Sequence, residues 1–375
     1  MIAGIMSDTH LISENVIISI VEELKKRKAE VIICCGDIEP QHINAGLFGG
    51  LPVICALVDK QEHNEAFETG KPQGWRFTKS GDRICRLPDG TKIYVGHKRH
   101  MDFLTATLAE FNHILSEIRA KYDGLEYIFG GHLHFQTYKK GQLISFVNPG
   151  AVFNSIGWGY EFALVDTVTH ELVFSRKLPT PDDRPTFSVG VISDSHDITH
   201  RDSGYWQRLV VEMEARDVTH IIHCGNLALA DIGRPELKHV QVHFAIRQDQ
   251  SFEYRKLLQE GKIPENWKVI SDKDLGEGAV VVINGYHFYV ELTLGLNLVT
   301  KSEVAMDMAS MEICGRHPQT EIVLCGFTRE ALYVEGQRAL VINPGAVNPS
   351  LEFAVICLPR REITFGRVPM GSLTV

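Results

Sequence analysis

Acids and imidazoles recur at the ends of apolar runs through the first 134 residues. Asp8 and His10 follow Ile2 to Met6, Asp37 follows Val31 to Cys35, and Asp59 follows Pro52 to Leu57. His97 follows Lys92 to Val95, and His132 and His134 follow Ile128-Phe129 across the pair Gly130-Gly131. Carboxylate oxygens and imidazole nitrogens without a thiolate are the donor set of borderline divalent cations such as manganese, iron or zinc. A lone His-x-His says little, because histidine ligates metals yet more often does something else. The glycines before it permit a turn that other residues resist, so both imidazoles project from one short loop.

The elements that must position these groups follow from periodicity. Open α/β sheets place ligands outside the carboxyl ends of their strands, which is where each of these acids and imidazoles falls. Ser13 caps a helix whose Val16, Ile17, Ile20, Val21 and Leu24 share one face, with Lys25 to Lys28 in its last turns as the helix dipole favours. A polar loop carrying Trp75 leads to strands Arg83 to Leu87 and Lys92 to Val95 around the turn Pro88-Asp89-Gly90. Leu104, Leu108, Phe111, Leu115 and Ile118 step by four and three, an amphipathic helix leading into the strand before His132. Val147 to Val152 makes a turn, and Glu161 to Arg176 has the pattern of a hairpin.

A chain of 375 residues suits two domains of about 180, each able to bury its own core. The formal charge of -9 argues against nucleic acid or an anionic membrane surface as the main partner. The opening lacks the basic start and cleavage pattern of a signal peptide, and no window approaches a membrane span. The eight cysteines, several inside apolar runs and none in a Cys-x-x-Cys pair, fit reduced core thiols of a cytoplasmic protein.

The pattern then restarts. Residues 179–186 read as a linker between a first domain over 1–178 and a second over 187–375, where Val189 to Ser193 leads into Asp194-Ser195-His196. Asp37 to Asp59 and Asn226 to Gln248 both span 22 positions, His97 to His132 and Leu292 to Phe327 both 35, and His132 to Asn148 and Phe327 to Asn343 both 16. Both halves carry Asn-Pro-Gly-Ala-Val and Glu-Phe-Ala. Asp8 and His10 persist as Asp194 and His196, whereas Asp37, Asp59, His97, His132 and His134 become Asn226, Gln248, Leu292, Phe327 and Arg329. Leucine and phenylalanine cannot ligate a metal, so the second half is expected to hold no dinuclear centre. Arg329 is expected to pair with Asp194 in place of the lost cation.

Five ordered blocks, Asp8-Thr9-His10, Gly36-Asp37, Val58-Asp59, His97 and Gly131-His132-Leu133-His134, make the first half resemble a calcineurin-like metallophosphoesterase of the small phosphodiesterase type. The resemblance implies an α/β fold of two repeated four-layer α-β-β-α sandwich domains. It also implies two divalent ions, with manganese favoured over iron or zinc. Asp8, His10, Asp37 and His134 would hold one ion, and Asp37, Asp59, His97 and His132 the other, with Asp37 and a hydroxide as bridges.

Two features depart from the family's pattern: Asp59 replaces its Asn, and Lys98-Arg99-His100 follows His97. An extra carboxylate lowers the site's positive charge, which favours a phosphodiester over a dianionic monoester. His97, His100 and Asp59 are the candidates for direct catalytic roles, with His100 or His63 protonating the leaving oxygen. The expected substrate is a phosphate-ester small molecule or a nucleotide. The second half would complete an intramolecular pseudodimer. The alternative is a non-catalytic scaffold of the same fold, as the retromer subunit provides.

Overall fold

The computed structural model describes residues 1–10, 12–58, 61, 67, 70–79, 83–97, 108–141, 144–153, 159–178, 182, 184–196, 198, 204–246, 250–270, 278–292, 303–326 and 329–369. The chain divides into two compact units, Met1–Asp182 and Asp183–Val375.

In the first unit, the runs IAGIM, VIIC and VICA are apolar on both faces, as strands buried on two sides must be. They form β1 (Ile2–Met6), β2 (Val31–Cys34) and β3 (Val53–Ala56), with α1 (Glu14–Lys26) crossing between the first two. β4 (Trp75–Thr78), β5 (Ile84–Arg86), β6 (Lys92–Val95), α2 (Leu108–Lys121), β7 (Leu125–Phe129), β8 (Gln136–Lys140), β9 (Ser145–Pro149), β10 (Tyr160–Asp166) and β11 (Leu172–Lys177) follow. One sheet runs β11-β10-β1-β2-β3-β4 and the other β8-β9-β7-β6-β5. Ile17, Ile20, Val21 and Leu24 of α1 pack on the first sheet with Met6, Phe48, Trp75 and Phe162. Phe111, Leu115 and Ile118 of α2 pack on the second with Ile128 and Phe146.

Two expectations need correction. Ser13 stands at the N-cap of α1, but its side chain makes no capping hydrogen bond. Trp75 is not in a loop. It opens β4, which pairs parallel with β3, and burying its indole against Phe48 and Phe77 holds a four-residue strand whose pattern is too short to read.

The second unit repeats the plan. Its elements are β12 (Phe187–Ile192), α3 (Tyr205–Glu214), β13 (Val218–His223), β14 (Gln241–Phe244), α4 (Ser251–Gln259), β15 (Trp267–Val269), β16 (Ala279–Ile283) and β17 (Tyr286–Glu291). α5 (Glu303–Arg316), β18 (Ile322–Cys325), β19 (Ala331–Glu335), β20 (Leu340–Pro344), β21 (Glu352–Leu358) and β22 (Glu362–Arg367) complete it. Its sheets run β22-β21-β12-β13-β14-β15 and β19-β20-β18-β17-β16, the same orders as in the first unit. Each unit is an α-β-β-α sandwich of mixed sheets. All eight cysteines are free thiols, seven of them buried. Among the described residues no helix is long and apolar enough to cross a membrane.

One buried histidine makes the second unit sensitive to acid. His223 ends β13 with its Nδ1 accepting the Gly225 N–H at 3.1 Å. Its Nε2 must therefore carry the proton, and it donates to Ser195 Oγ at 2.7 Å. Burial pushes the His223 pKa down to about 4. The fold thus prefers the neutral ring, so this contribution is complete above the unfolded value of about 6.5 and is lost as pH falls toward 4. The loss amounts to about 3 kcal/mol. Urea unfolding at pH 7 and pH 4 checks it: His223→Gln keeps a donor amide but should lose about 3 kcal/mol less than wild type over that interval. Equal losses in the two proteins would refute the assignment.

Candidate metal centre

The candidate ligands stand on loops at the carboxyl ends of β1, β2, β6 and β7 in the first unit. Backbone bonds lash these loops together: Asp8 N donates to Gly36 O at 3.1 Å, Thr9 N to Asp37 O at 3.2 Å, and Gly96 N to Phe129 O at 3.1 Å. Glycine lets them come this close. A Cβ on Gly36 would meet the His97 side chain at 2.8 Å, and one on Gly131 would collide with Ser7 Oγ.

Five of the six described candidates have left-handed backbones: Asp8 (φ 54°), His10 (φ 32°), Asp37 (φ 51°), His132 (φ 71°) and His134 (φ 58°). Such a conformation costs about 1 kcal/mol or more per residue outside glycine, and it clusters where function over-determines geometry.

The carboxylate of Asp8 is the hub. It is fully buried, and its Oδ2 accepts the His132 N–H at 2.8 Å. Its Oδ1 is buried without a hydrogen-bond partner. Around that oxygen stand three imidazole Nε2 atoms: His134 at 3.4 Å, His97 at 3.8 Å and His10 at 3.9 Å. His10 and His134 face each other Nε2 to Nε2 at 3.2 Å. Asp37, more exposed, lies with its Oδ2 3.8 Å from His10 Nδ1. Two overlapping groups result, Asp8–His10–His134 and Asp8–Asp37–His97, each with donor atoms within 4.8 Å of one another. The ring of His132 lies 5.0 Å from that of His97.

A buried acceptor with no donor, ringed by imidazole nitrogens, fits a cation: a divalent ion would satisfy the orphaned oxygen and the imidazole lone pairs together. Burial pushes the Asp8 carboxyl up. His134, the charge on His97, Ser7 and the His132 N–H outweigh it, leaving the acid below its ordinary value. Burial pushes the His97 pKa down, against the opposing pull of Asp8. The contact with Asp8 pushes His134 up.

Outer contacts aim these ligands. His97 Nδ1 lies 3.1 Å from the Cys35 carbonyl and donates to it, which leaves Nε2 for the centre. Asn148 Nδ2 donates to Gly131 O at 3.0 Å while its Oδ1 accepts the Gly150 N–H at 3.0 Å, holding the His132 loop. Thr9 Oγ1 lies 3.0 Å from the Nδ1 of buried His42 and accepts the Glu39 N–H at 3.2 Å. Phe153 packs edge-on against His10 and His134, with centroids 4.9 and 5.4 Å away. Of these orienting residues, Asn148 was signalled by the duplicated Asn-Pro-Gly-Ala-Val; His42 and Phe153 had no signal. Asp59, His63 and His100 lie outside the described residues.

The second unit keeps this frame without the ligands. Asp194, Asn226 and Arg329 retain left-handed φ values of 55°, 56° and 60°. Asn343 bonds to Gly326 O at 3.1 Å as Asn148 does to Gly131. Both oxygens of Asp194 are occupied, by Ser193 Oγ at 2.8 Å and Asn226 Nδ2 at 2.6 Å. The expected Arg329–Asp194 pair does not form. Arg329 is exposed, and the nearer neutral donors satisfy the buried acid without stripping a guanidinium of its water.

The sequence matches the calcineurin-like phosphoesterase superfamily domain over residues 1–170 and again over 187–358. The chain belongs to the calcineurin-like phosphoesterase superfamily. Its two α-β-β-α units are two copies of that domain. Asp8 belongs to both of these ligand groups, and Asp37, which joins Asp8 and His97 in one, also lies 3.8 Å from His10 of the other.

Among solved structures, the chain is similar to an archaeal phosphodiesterase at 17% identity and a TM-score of 0.34, over 46% of this chain and 97% of that one. It is similar to Yfce, a phosphoesterase from E. coli, at 16% identity and 0.31, over 48% and 93%. It is also similar to Vps29 of Entamoeba histolytica in complex with zinc, at 14% and 0.26, over 47% and 91%. No curated protein matches the chain.

Proposed function

We propose that the first unit is a cytoplasmic, metal-dependent phosphohydrolase that prefers phosphodiesters, acting on a small phosphate ester or a nucleotide. The observation that carries this reading is the buried Asp8 Oδ1, without a donor and facing three imidazole nitrogens. Asp8, His10, Asp37 and His134 would hold one divalent ion, and Asp37, Asp59, His97 and His132 a second, with manganese favoured. Such ions supply positive charge to a phosphoryl oxygen and make a water acidic enough to attack at neutral pH.

The protein's own groups do the positioning. The Cys35 carbonyl fixes the tautomer of His97. Asn148 fixes the loop of His132 and His134. Phe153 closes one side of the centre with an apolar ring. Asp59, as a third carboxylate, lowers the net positive charge that a dianionic monoester needs more than a monoanionic diester does.

The test strips the protein of metal, adds manganese, and compares bis(p-nitrophenyl) phosphate with p-nitrophenyl phosphate. Diester turnover should depend on manganese and fall at least about 100-fold in His132→Ala. Asp59→Asn should move selectivity toward the monoester. Turnover absent with manganese would leave the chain a non-catalytic module instead, and turnover unchanged in His132→Ala would detach the activity from this centre.

A further inference from the structure

We infer that the second unit is a metal-free binding site for a phosphate group, with Arg329, at the position equivalent to His134, supplying the positive charge that a cation would supply in the first unit. The shape of the site has survived the loss of its ligands. Gly225 still admits its neighbour at a distance no Cβ would allow: an added Cβ would lie 2.6 Å from Leu292, as one on Gly36 would lie 2.8 Å from His97. The backbone bonds that seat the first acid also recur. Val347 N donates to Ser193 O at 2.9 Å and Asn348 N to Asp194 O at 3.1 Å, matching Val152 to Ser7 at 2.9 Å and Phe153 to Asp8 at 3.3 Å. A relic under no constraint would be expected to relax its left-handed residues, yet Asp194, Asn226 and Arg329 keep them.

The charges changed in one direction only. Asp37 to Asn226 and Asp59 to Gln248 each remove a negative charge, and His134 to Arg329 adds a positive one. In the first unit three carboxylates would repel an anion unless a metal came between them. In the second unit the remaining acid is buried and capped by Ser193 and Asn226. Arg329 holds the same left-handed backbone as His134 but is exposed and makes no ion pair with a described residue. A guanidinium fork of this kind matches phosphate oxygens in geometry as well as charge. His196 adds a buried Nδ1 without a hydrogen-bond partner. With no carboxylate oxygen left open for a metal, nothing in the described site activates water, so the phosphate group is bound and not cleaved.

This inference does not depend on hydrolysis by the first unit, and its test uses neither metal nor turnover. Full-length protein stripped with EDTA is titrated with inorganic phosphate and with adenosine 5′-monophosphate by calorimetry. Wild type should bind one phosphate group per chain, and the tighter of the two probes identifies whether the source is free phosphate or a monoester. Arg329→Gln should weaken binding at least tenfold, Arg329→Lys less. Asn226→Asp, which restores a second carboxylate beside Asp194, should weaken it by a similar factor through repulsion. A stripped wild type that binds neither probe, or wild-type affinity retained in Arg329→Gln or in Asn226→Asp, would overturn the inference.

Discussion

Asp8→Asn should abolish the response to metal while sparing the metal-free fold. The two side chains have the same shape, and the amide oxygen can still accept the His132 N–H that Asp8 Oδ2 accepts at 2.8 Å. The amide nitrogen would then face the imidazole Nε2 atoms 3.4 to 3.9 Å away and donate to one of them. What is lost is the negative charge of the acid that belongs to both ligand groups. At a metal concentration a hundredfold above its Kd, binding to the native state alone stabilises it by about 2.7 kcal/mol. For a unit of this size that raises the melting temperature by roughly 5 to 10 °C. Wild type should show that rise with manganese and the variant none, with similar melting temperatures in EDTA. Diester hydrolysis should fall about a thousandfold, equivalent to about 4 kcal/mol of transition-state stabilisation. A manganese shift that survives in Asp8→Asn would place the ion elsewhere and remove Asp8 from the centre.

Much of this site was legible because its signal is a frame and not a single motif. Acids and imidazoles at consecutive strand ends, and equal intervals in the two halves, follow from a topology that both units retain. The division of labour within the centre was not legible. Spacing cannot tell which carboxylate is buried deepest, and the depth of Asp8, which has no exposed surface, is visible only in the fold. The left-handed backbones are equally silent, since aspartate and histidine tolerate them without advertising them.

The strand β8 escaped for another reason. Gln136 and Thr137 are buried, and Gln136 Nε2 donates to Phe162 O at 3.2 Å and Ser175 O at 2.9 Å, partners 26 and 39 residues away. Lys139 lies over the Phe111 ring at 4.5 Å. A polar strand buried by distant partners carries no local pattern. The Arg329–Asp194 pairing failed because opposite charge was weighed without asking which neutral donors stood nearer.

Arg176→Met should be the most damaging single change to the stability of the first unit, and its counterpart in the second unit supplies the control. Arg176 has a side chain wholly removed from solvent and lies 3.6 Å from the Glu161 carboxylate, itself 4% exposed. Its Nη2 donates to Gln136 Oε1 at 3.1 Å. Removing one partner of a buried pair strands the other charge, a loss of about 3 to 5 kcal/mol. The equivalent pair, Arg367 and Glu352, is 3.5 Å apart, but Arg367 is 47% exposed. Glu352 is 4% exposed, like Glu161, but water reaches the guanidinium side of this pair, so Arg367→Met should cost clearly less than Arg176→Met. The same substitution at matching positions then isolates burial as the cause. The damage should also reach the metal centre. Glu161 Oε2 accepts the Ala151 N–H at 3.2 Å, fixing the turn that carries Phe153 against His10 and His134. Urea unfolding of the two variants measures the first effect, and manganese affinity measures the second. Equal losses from Arg176→Met and Arg367→Met would sink the burial argument, whereas an unchanged manganese affinity in Arg176→Met would detach Glu161 and its turn from the site.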